Sequence, residues 1–451
     1  MATSISGSRE PKEFPDLVLL VPIGRTHCYD DTDAAASAVK NDPTAVSVDT
    51  SNNRSGHLSF TLSPLPSISY LDLHWPYGMP KLPSRVPALP QVVSVDENLL
   101  LIRIDQLPCG TDWFVYSACA SSSSSLRRLP ECTMQIQDLA GRSRFLQLDT
   151  DIGILRRSGD ENDYVVADLA VSWKARGGPG SLAGYGYDCN DPPPMKAMLC
   201  AFSSKTGEWT AKEMVAPQPG NQEQFPVLWC CDTVVPFAGH YLCWVDYYSG
   251  LLIGDFSDEG SPRLSYVPFP TSCKYSDEVR VERNFPESFR RVAVSNGNMR
   301  FIHIGDDNWQ DAGYSWHTSL PVIKVWNLKM RDNGIRWDLD RVIDVRNLWA
   351  HPTYQSHSLP NRPPEFPLVI KNDPDVLCCV PREGEYYGKA WIIMLDIKQL
   401  QFPALMSCIP YTIEAIEGGD TLRQYDIVSM HVGPPLIPSD FSKYLNNPSG
   451  N

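Results

Sequence analysis

Apolar residues in this chain come in short bursts that mostly alternate with polar ones, the period of half-buried strands. Leu58 to Leu62 (LSFTL) and Ser67 to His74 (SISYLDLH) read as alternating or apolar strands, Leu99 to Ile104, Trp113 to Tyr116 and Tyr164 to Ser172 as further strands, and Phe14 to Ile23 is a longer apolar run. The stretch Tyr241 to Phe256 shows the grammar in full. Strands Tyr241 to Val245 and Leu251 to Asp255 flank a turn in which Gly250 supplies a positive φ and the Asp246 side chain bonds the turn backbone.

Further hairpins follow at Met198 to Lys212, Arg290 to Ile304 (through Asn296-Gly297), Ile323 to Asp338 and Leu377 to Asp396, with Ile427 to Val432 as a closing strand. Helical pattern is confined to Thr32-Asp33 with the AAASAVK that follows, and to a short segment from Ser439.

Many short strands separated by turns predict an all-β fold, a β-propeller-like ring of six to eight antiparallel blades. Two β-sandwich domains are the alternative, against which the absence of a linker counts. The propeller is assigned to residues 14–438, with a disordered stretch at 1–13, a flexible Gly/Pro-rich insertion at 175–194 and a tail at 439–451. Turn glycines at 110, 159, 207, 250, 297, 334 and 388 recur at separations between 37 (297 to 334) and 54 (334 to 388), near the length of a blade.

Composition narrows the picture. The 39 prolines are spread along the chain, which suits turns and excludes long helices. Acidic residues outnumber basic ones 53 to 39, for a net charge of −14, and no basic cluster stands out, so neither nucleic acid nor an anionic membrane is expected as partner. The 13 cysteines include no C-x-x-C; Cys230-Cys231 and Cys378-Cys379 point their side chains to opposite faces, as reduced, buried thiols would. No signal-like segment opens the sequence, and no apolar run approaches the roughly 20 residues of a membrane span. A soluble intracellular protein is expected, cytoplasmic or nuclear.

Ordered pieces of the chain resemble the plant proteins grouped as domain of unknown function 1618. They include FPDLVLL from Phe14, SYLDLHW from Ser69, WFVYSA from Trp113, DYVVADL from Asp163, FSSKTGEW from Phe202, WVD with GLLIGD from Trp244 to Asp255, LSYVPFP from Leu264, FRRVAV from Phe289 and KVWNL from Lys324. The resemblance implies a fold similar to the β-propeller-like domain that follows some plant F-boxes, and it implies no activity. Phe14-Pro15-Asp16-Leu17 is similar to the opening of an F-box, but Pro22, Gly24 and Asp42-Pro43 interrupt the helical pattern such a module needs.

Candidate chemistry is sparse. G-x-S-x-G, H-E-x-x-H and P-loop spacings are absent, and Gly178, Gly180 and Ala183 lack the flanking strand and helix of a dinucleotide fingerprint. Three constellations remain: His303 beside Asp306 and Asp307, Asp246 with Asp255 as facing carboxylates across their hairpin, and His351 with His357 around PTYQS. Tryptophans such as Trp209, Trp244 and Trp326 suit blade-to-blade packing. The function expected is that of a non-catalytic module that binds a protein partner, of unknown identity, through loops on one propeller face, with no catalytic residue, cofactor or metal. The alternative is a hydrolase acting on a carbohydrate or ester at the channel mouth, using Asp246, Asp306 or Asp307.

Overall fold

The computed structural model describes residues 13–76, 89–106, 110–120, 123–133, 135–137, 143–145, 148, 151–157, 163–173, 195–215, 229–258, 262–270, 286–305, 322–331, 334–384, 389–398, 404–410 and 436–446. Six sheets form the blades of a β-propeller, five of them antiparallel and four-stranded and the first mixed, as the alternating pattern predicts; two sandwiches are not formed. The second blade is a four-stranded meander of Leu89–Asp96, Leu99–Gln106, Gly110–Ser117 and Ser125–Arg128. The third comprises Ile152–Arg156, Tyr164–Trp173, Met195–Ser203 and Glu208–Val215, and the fourth Thr233–Phe237, Tyr241–Asp246, Gly250–Asp255 and Arg263–Pro268. The fifth comprises Arg290–Ser295, Asn298–Gly305, Val322–Arg331 and Gly334–Asp344, and the sixth Glu365–Ile370, Asp373–Val380, Trp391–Asp396 and Ala404–Pro410.

The first blade is assembled from both ends of the described chain. Ile437–Ser439 pairs antiparallel with Val18–Leu20, which runs parallel to Ile68–Trp75; Ser55–Thr61 and Val46–Asp49 complete the order. The apolar run from Phe14 thus yields only a three-residue strand. Pro22 and Gly24 explain why: the chain steps sideways there to bond the second blade, with Gly24 N donating to Pro90 O (2.8 Å) and Val92 N to Pro22 O (2.8 Å). A Cβ on Gly24 would sit 2.6 Å from Leu71 O, so only glycine passes. The expected closing strand at Ile427 to Val432 lies outside the described residues, and the strand that closes the ring is Ile437–Ser439. Helix Thr32–Val39 is capped one residue earlier than its Thr-Asp start suggests, by the Asp31 carboxylate accepting from Ala34 N at 2.7 Å.

Each seam between neighbouring blades carries its own apolar core, which is why no hairpin must hide its apolar side alone. Tyr116, Phe60 and Phe441 fill the seam between first and second blades, and Trp113, Phe202 and Trp209 the next. Trp244 with Leu155 and Leu252 fills the third, Phe301 and Trp326 the fourth, Ile302 and Leu377 the fifth, and Leu19 with Cys378 the sixth. Cys378 and Cys379 belong to different seams, as their adjacency in a strand requires.

Glycine spacing is not the blade repeat. Gly297 and Gly334 both turn within the fifth blade, while Gly110 and Gly250 serve the second and fourth; 159 and 388 lie outside the described residues. The repeat is read from the inner strands, which begin at 89, 152, 233, 290 and 365, giving separations of 63, 81, 57 and 75. Longer repeats mean six blades, the low end of the expected range.

Candidate functional site

In each blade from the second to the sixth, the first strand lines the centre and runs in the same direction, so the ends of these strands gather at one mouth of the channel. In the second, fourth and fifth blades the turns that follow are tight and use left-handed residues: Glu97 (φ +51°), Ala238 (φ +52°) and Asn296 (φ +46°). Asn296-Gly297 is the turn the sequence predicts; Glu97 is unusual, because its Cβ gains nothing from that conformation.

Charged side chains cluster at this mouth. Asp96 Oδ2 accepts from Arg156 N at 2.7 Å, the Arg156 guanidinium pairs with Glu97, and Tyr444 OH donates to Glu97 Oε2 at 3.4 Å. Lys371 and Lys443 each place Nζ 2.5 Å from a different oxygen of Asp440. Asn296 N donates to Lys371 O at 3.0 Å, tying the fifth blade to the same cluster.

Two carboxylates here are driven apart. Burial raises Asp96 to about 6, helped by the negative charge of Asp440 and opposed by Arg156 N and the charges of Lys371 and Arg156. Burial would raise Asp440 too, but both lysines override it and hold the group below its ordinary range. Asp96, which takes up its proton at higher pH than usual, and Asp440, which keeps its charge to lower pH than usual, have the pKa separation of an acid–base pair. Asp440, however, is 3% exposed and has both oxygens on lysines, so it anchors the C-terminal turn and cannot meet a substrate.

The residues singled out from sequence fall elsewhere. Asp246 and Asp255 do not face one another: pairing sets Asp246 opposite Gly250 and Asp255 opposite Tyr241, at the two ends of the hairpin. Asp246 is fully buried and accepts from Tyr248 N (3.0 Å), Ser249 Oγ (2.8 Å) and Cys230 N (3.3 Å), the turn-capping role its position predicts. His303 lies within a strand, paired on one side with Arg290 and on the other with Lys324. Burial, then these two cations, push its pKa far down, and the neutral ring accepts from Arg290 Nε at 3.3 Å. Asp306, Asp307, Trp309 and Trp316, and the residues at 175–194, are outside the described residues. His351 caps the Pro352–Ser356 helix, and His357 lies 2.8 Å from Thr353 O at its other end. No group of metal ligands forms among the described residues.

A second polar cluster, which sequence reasoning missed, occupies one face of the first blade. Arg25 grips Asp72 with two bonds (2.7 and 3.0 Å), and Thr61 (2.6 Å) and His27 (2.9 Å) complete its shell. Burial would raise Asp72, but hydrogen bonds from His27, Arg25 and Thr61 hold it well below the carboxylate range. His74 lies between Ser59 Oγ (2.9 Å) and Tyr29 OH (3.0 Å), and burial, then the nearby His27, lower it to about 4 against the pull of Asp72. Ser59 is 4% exposed, so its hydroxyl supports the ring and has no approach for a substrate. The signal was present in sequence: R-T-H from Arg25, H-L-S-F-T from His57 and Y-L-D-L-H from Tyr70 alternate polar residues on one face.

Fold and mouth together define a six-bladed β-propeller with a charged, internally paired channel rim. Residues 244–378, from the fourth blade into the sixth, match the model of a family described as Protein of unknown function (DUF1618), in line with the resemblance of the sequence. No curated protein matches. Among solved structures, hydrazine synthase from Kuenenia stuttgartiensis is similar over 80% of this chain and 87% of its own, at 11% identity and a TM-score of 0.29. A GH32 β-fructofuranosidase from Bombyx mori in complex with sucrose is similar over 73% of this chain and 63% of its own, at 11% identity and a TM-score of 0.26. Neither score is high enough to bear on this chain's chemistry. No helix among the described residues is long and apolar enough to cross a membrane.

Proposed function

We propose that this propeller is a non-catalytic module that binds a protein partner through the short turns at the charged channel mouth. The observation that carries the reading is the pairing of that rim. Asp440 is held by Lys371 and Lys443, and Glu97 by Arg156, while the turns beside them stay exposed at Ala238, Asn296 to Asn298, and Asn372-Asp373. A rigid rim with exposed tight turns suits docking, because little ordering cost remains on binding. The test is cross-linking of the full chain in its native extract, mapped by residue, with Asn372→Arg as the perturbing variant. Cross-links at the mouth turns that vanish in Asn372→Arg are expected. Cross-links on the outer strands around Leu339 and Met406 would overturn the surface.

A second reading, hydrolysis of an ester or glycoside at the mouth, is favoured by one observation: Asp96 sits at about 6, suited to a general acid. Turnover by the purified chain that Asp96→Asn abolishes would replace the binding module with an enzyme.

A further inference from the structure

Among the buried thiols one pair stands apart. Cys132 follows the last strand of the second blade, Cys200 lies in the third strand of the third blade, and their Sγ atoms are 3.4 Å apart across the seam. A disulfide needs about 2.05 Å, so the sulfurs have about 1.4 Å to close. The Cys132 segment is already pinned to the third blade, because Trp209 Nε1 donates to Pro130 O at 2.8 Å. Trp113, Trp209 and Ile154 belong to the same buried apolar cluster as the pair.

The geometry points to Cys132 and Cys200 as an oxidisable pair, joined by a peroxide into a disulfide that staples the second blade to the third. The order of events follows from exposure. Cys132 is 9% exposed and Cys200 is fully buried, so Cys132 reacts first. Its thiolate attacks one oxygen of hydrogen peroxide, the O–O bond breaks, and the departing hydroxide takes up the thiol proton as water, leaving a sulfenic acid. The Cys200 thiol keeps its proton until then: its hydrogen bond with Cys132 first, then burial, push it up. Its sulfur then attacks Cys132 Sγ, the S–O bond breaks, and the hydroxide leaves as water with the Cys200 proton. Two thiols and one peroxide become one disulfide and two waters. The bond closes a separation of 68 residues, so it constrains the unfolded chain strongly.

The experiment treats the full chain, purified reduced, with graded hydrogen peroxide, alkylates it under denaturing conditions and maps the peptides without reduction. The expected result is a Cys132–Cys200 linked peptide, short by two hydrogens, at peroxide levels above those that oxidise the exposed Cys230. A melting temperature raised by several degrees and restored by dithiothreitol accompanies it. Cys200→Ser should leave Cys132 trapped as a sulfenic acid reactive toward a dimedone probe. Should that variant fail to fold, the reversible rise in the unsubstituted protein still decides. Full alkylation of both cysteines at peroxide well above the level that oxidises Cys230 completely, or a link from either to a different cysteine, would overturn the pair.

Discussion

At the scale of single residues, three wholly or partly buried titratable groups give the protein opposing responses to acid. His74 is held at about 4, below the roughly 6.5 of an unfolded chain, so its folded form binds fewer protons between these values. Stability from His74 is complete above about 6.5 and is lost as pH falls to 4, by roughly 2 kcal/mol after allowance for its partial exposure. Asp96 has the opposite sign. Its folded pKa of about 6 lies above the unfolded one of roughly 3.9, so its contribution is largest below 4 and is lost as pH rises through 6. The two slopes largely cancel in the intact protein. Asp96→Asn, whose amide oxygen still accepts from Arg156 N, should therefore stabilise by about 1–2 kcal/mol at pH 7 and steepen the loss on acidification. His74→Gln should instead leave a chain that gains stability as pH drops from 6.5 to 4. Urea midpoints at pH 7, 5.5 and 4 read both signs, and parallel curves for the two variants would refute the assignment. Asp72 acts below this window. Its depressed pKa makes its contribution complete above about 4 and lost on further acidification, and Asp72→Asn should cost roughly 3 kcal/mol at pH 7 by leaving Arg25 half-buried without its counter-charge.

At the scale of elements, two turn glycines of similar appearance in sequence are needed for different reasons. Gly297 follows Asn296 with φ +69° and open space around its missing Cβ, so Gly297→Ala carries only the conformational cost of a left-handed residue, about 1 kcal/mol. A Cβ on Gly250 would lie 2.3 Å from Val267 O and 2.8 Å from Pro268 Cα, both on the adjoining strand's backbone, so Gly250→Ala should cost several times more. Chemical denaturation of the pair checks the order, and equal losses would contradict it. The contrast shows what the sequence could reveal. Asn-Gly and the Asp246 cap were legible, because turn chemistry is local. That Tyr247 is fully buried and its hydroxyl accepts from Val292 N at 3.3 Å was not, because the partner belongs to the next blade. The mouth cluster was hidden for the same reason. Asp96, Arg156, Lys371 and Asp440 each end a strand or follow one unremarkably, and only ring closure brings residues so distant in sequence together. The facing of Asp246 and Asp255 failed on register, which a hairpin reading places but did not count.

At the scale of the whole molecule, the ring is held shut by the C-terminal segment. Ile437–Ser439 pairs with Val18–Leu20, Asn446 exchanges two hydrogen bonds with Phe14 (2.8 and 2.9 Å), and Asp440 reaches Lys371 of the sixth blade. Phe441 is the apolar end of this clasp, fully buried with its ring 4.9 Å from Phe60 and edge-on to Tyr116 at 6.4 Å. Removing a buried phenylalanine ring costs about 3–5 kcal/mol wherever it occurs. At this position the loss has a spatial signature, because the clasp couples the first blade to both of its neighbours while the fourth blade depends on other seams. In Phe441→Ala, amides of Val18–Leu20 and Ile437–Ser439 should exchange hydrogen much faster, and those of Tyr241–Asp246 should keep their protection under native conditions. Exchange that accelerates uniformly around the ring would mean that the propeller opens as one unit and that its closure is not the weak seam.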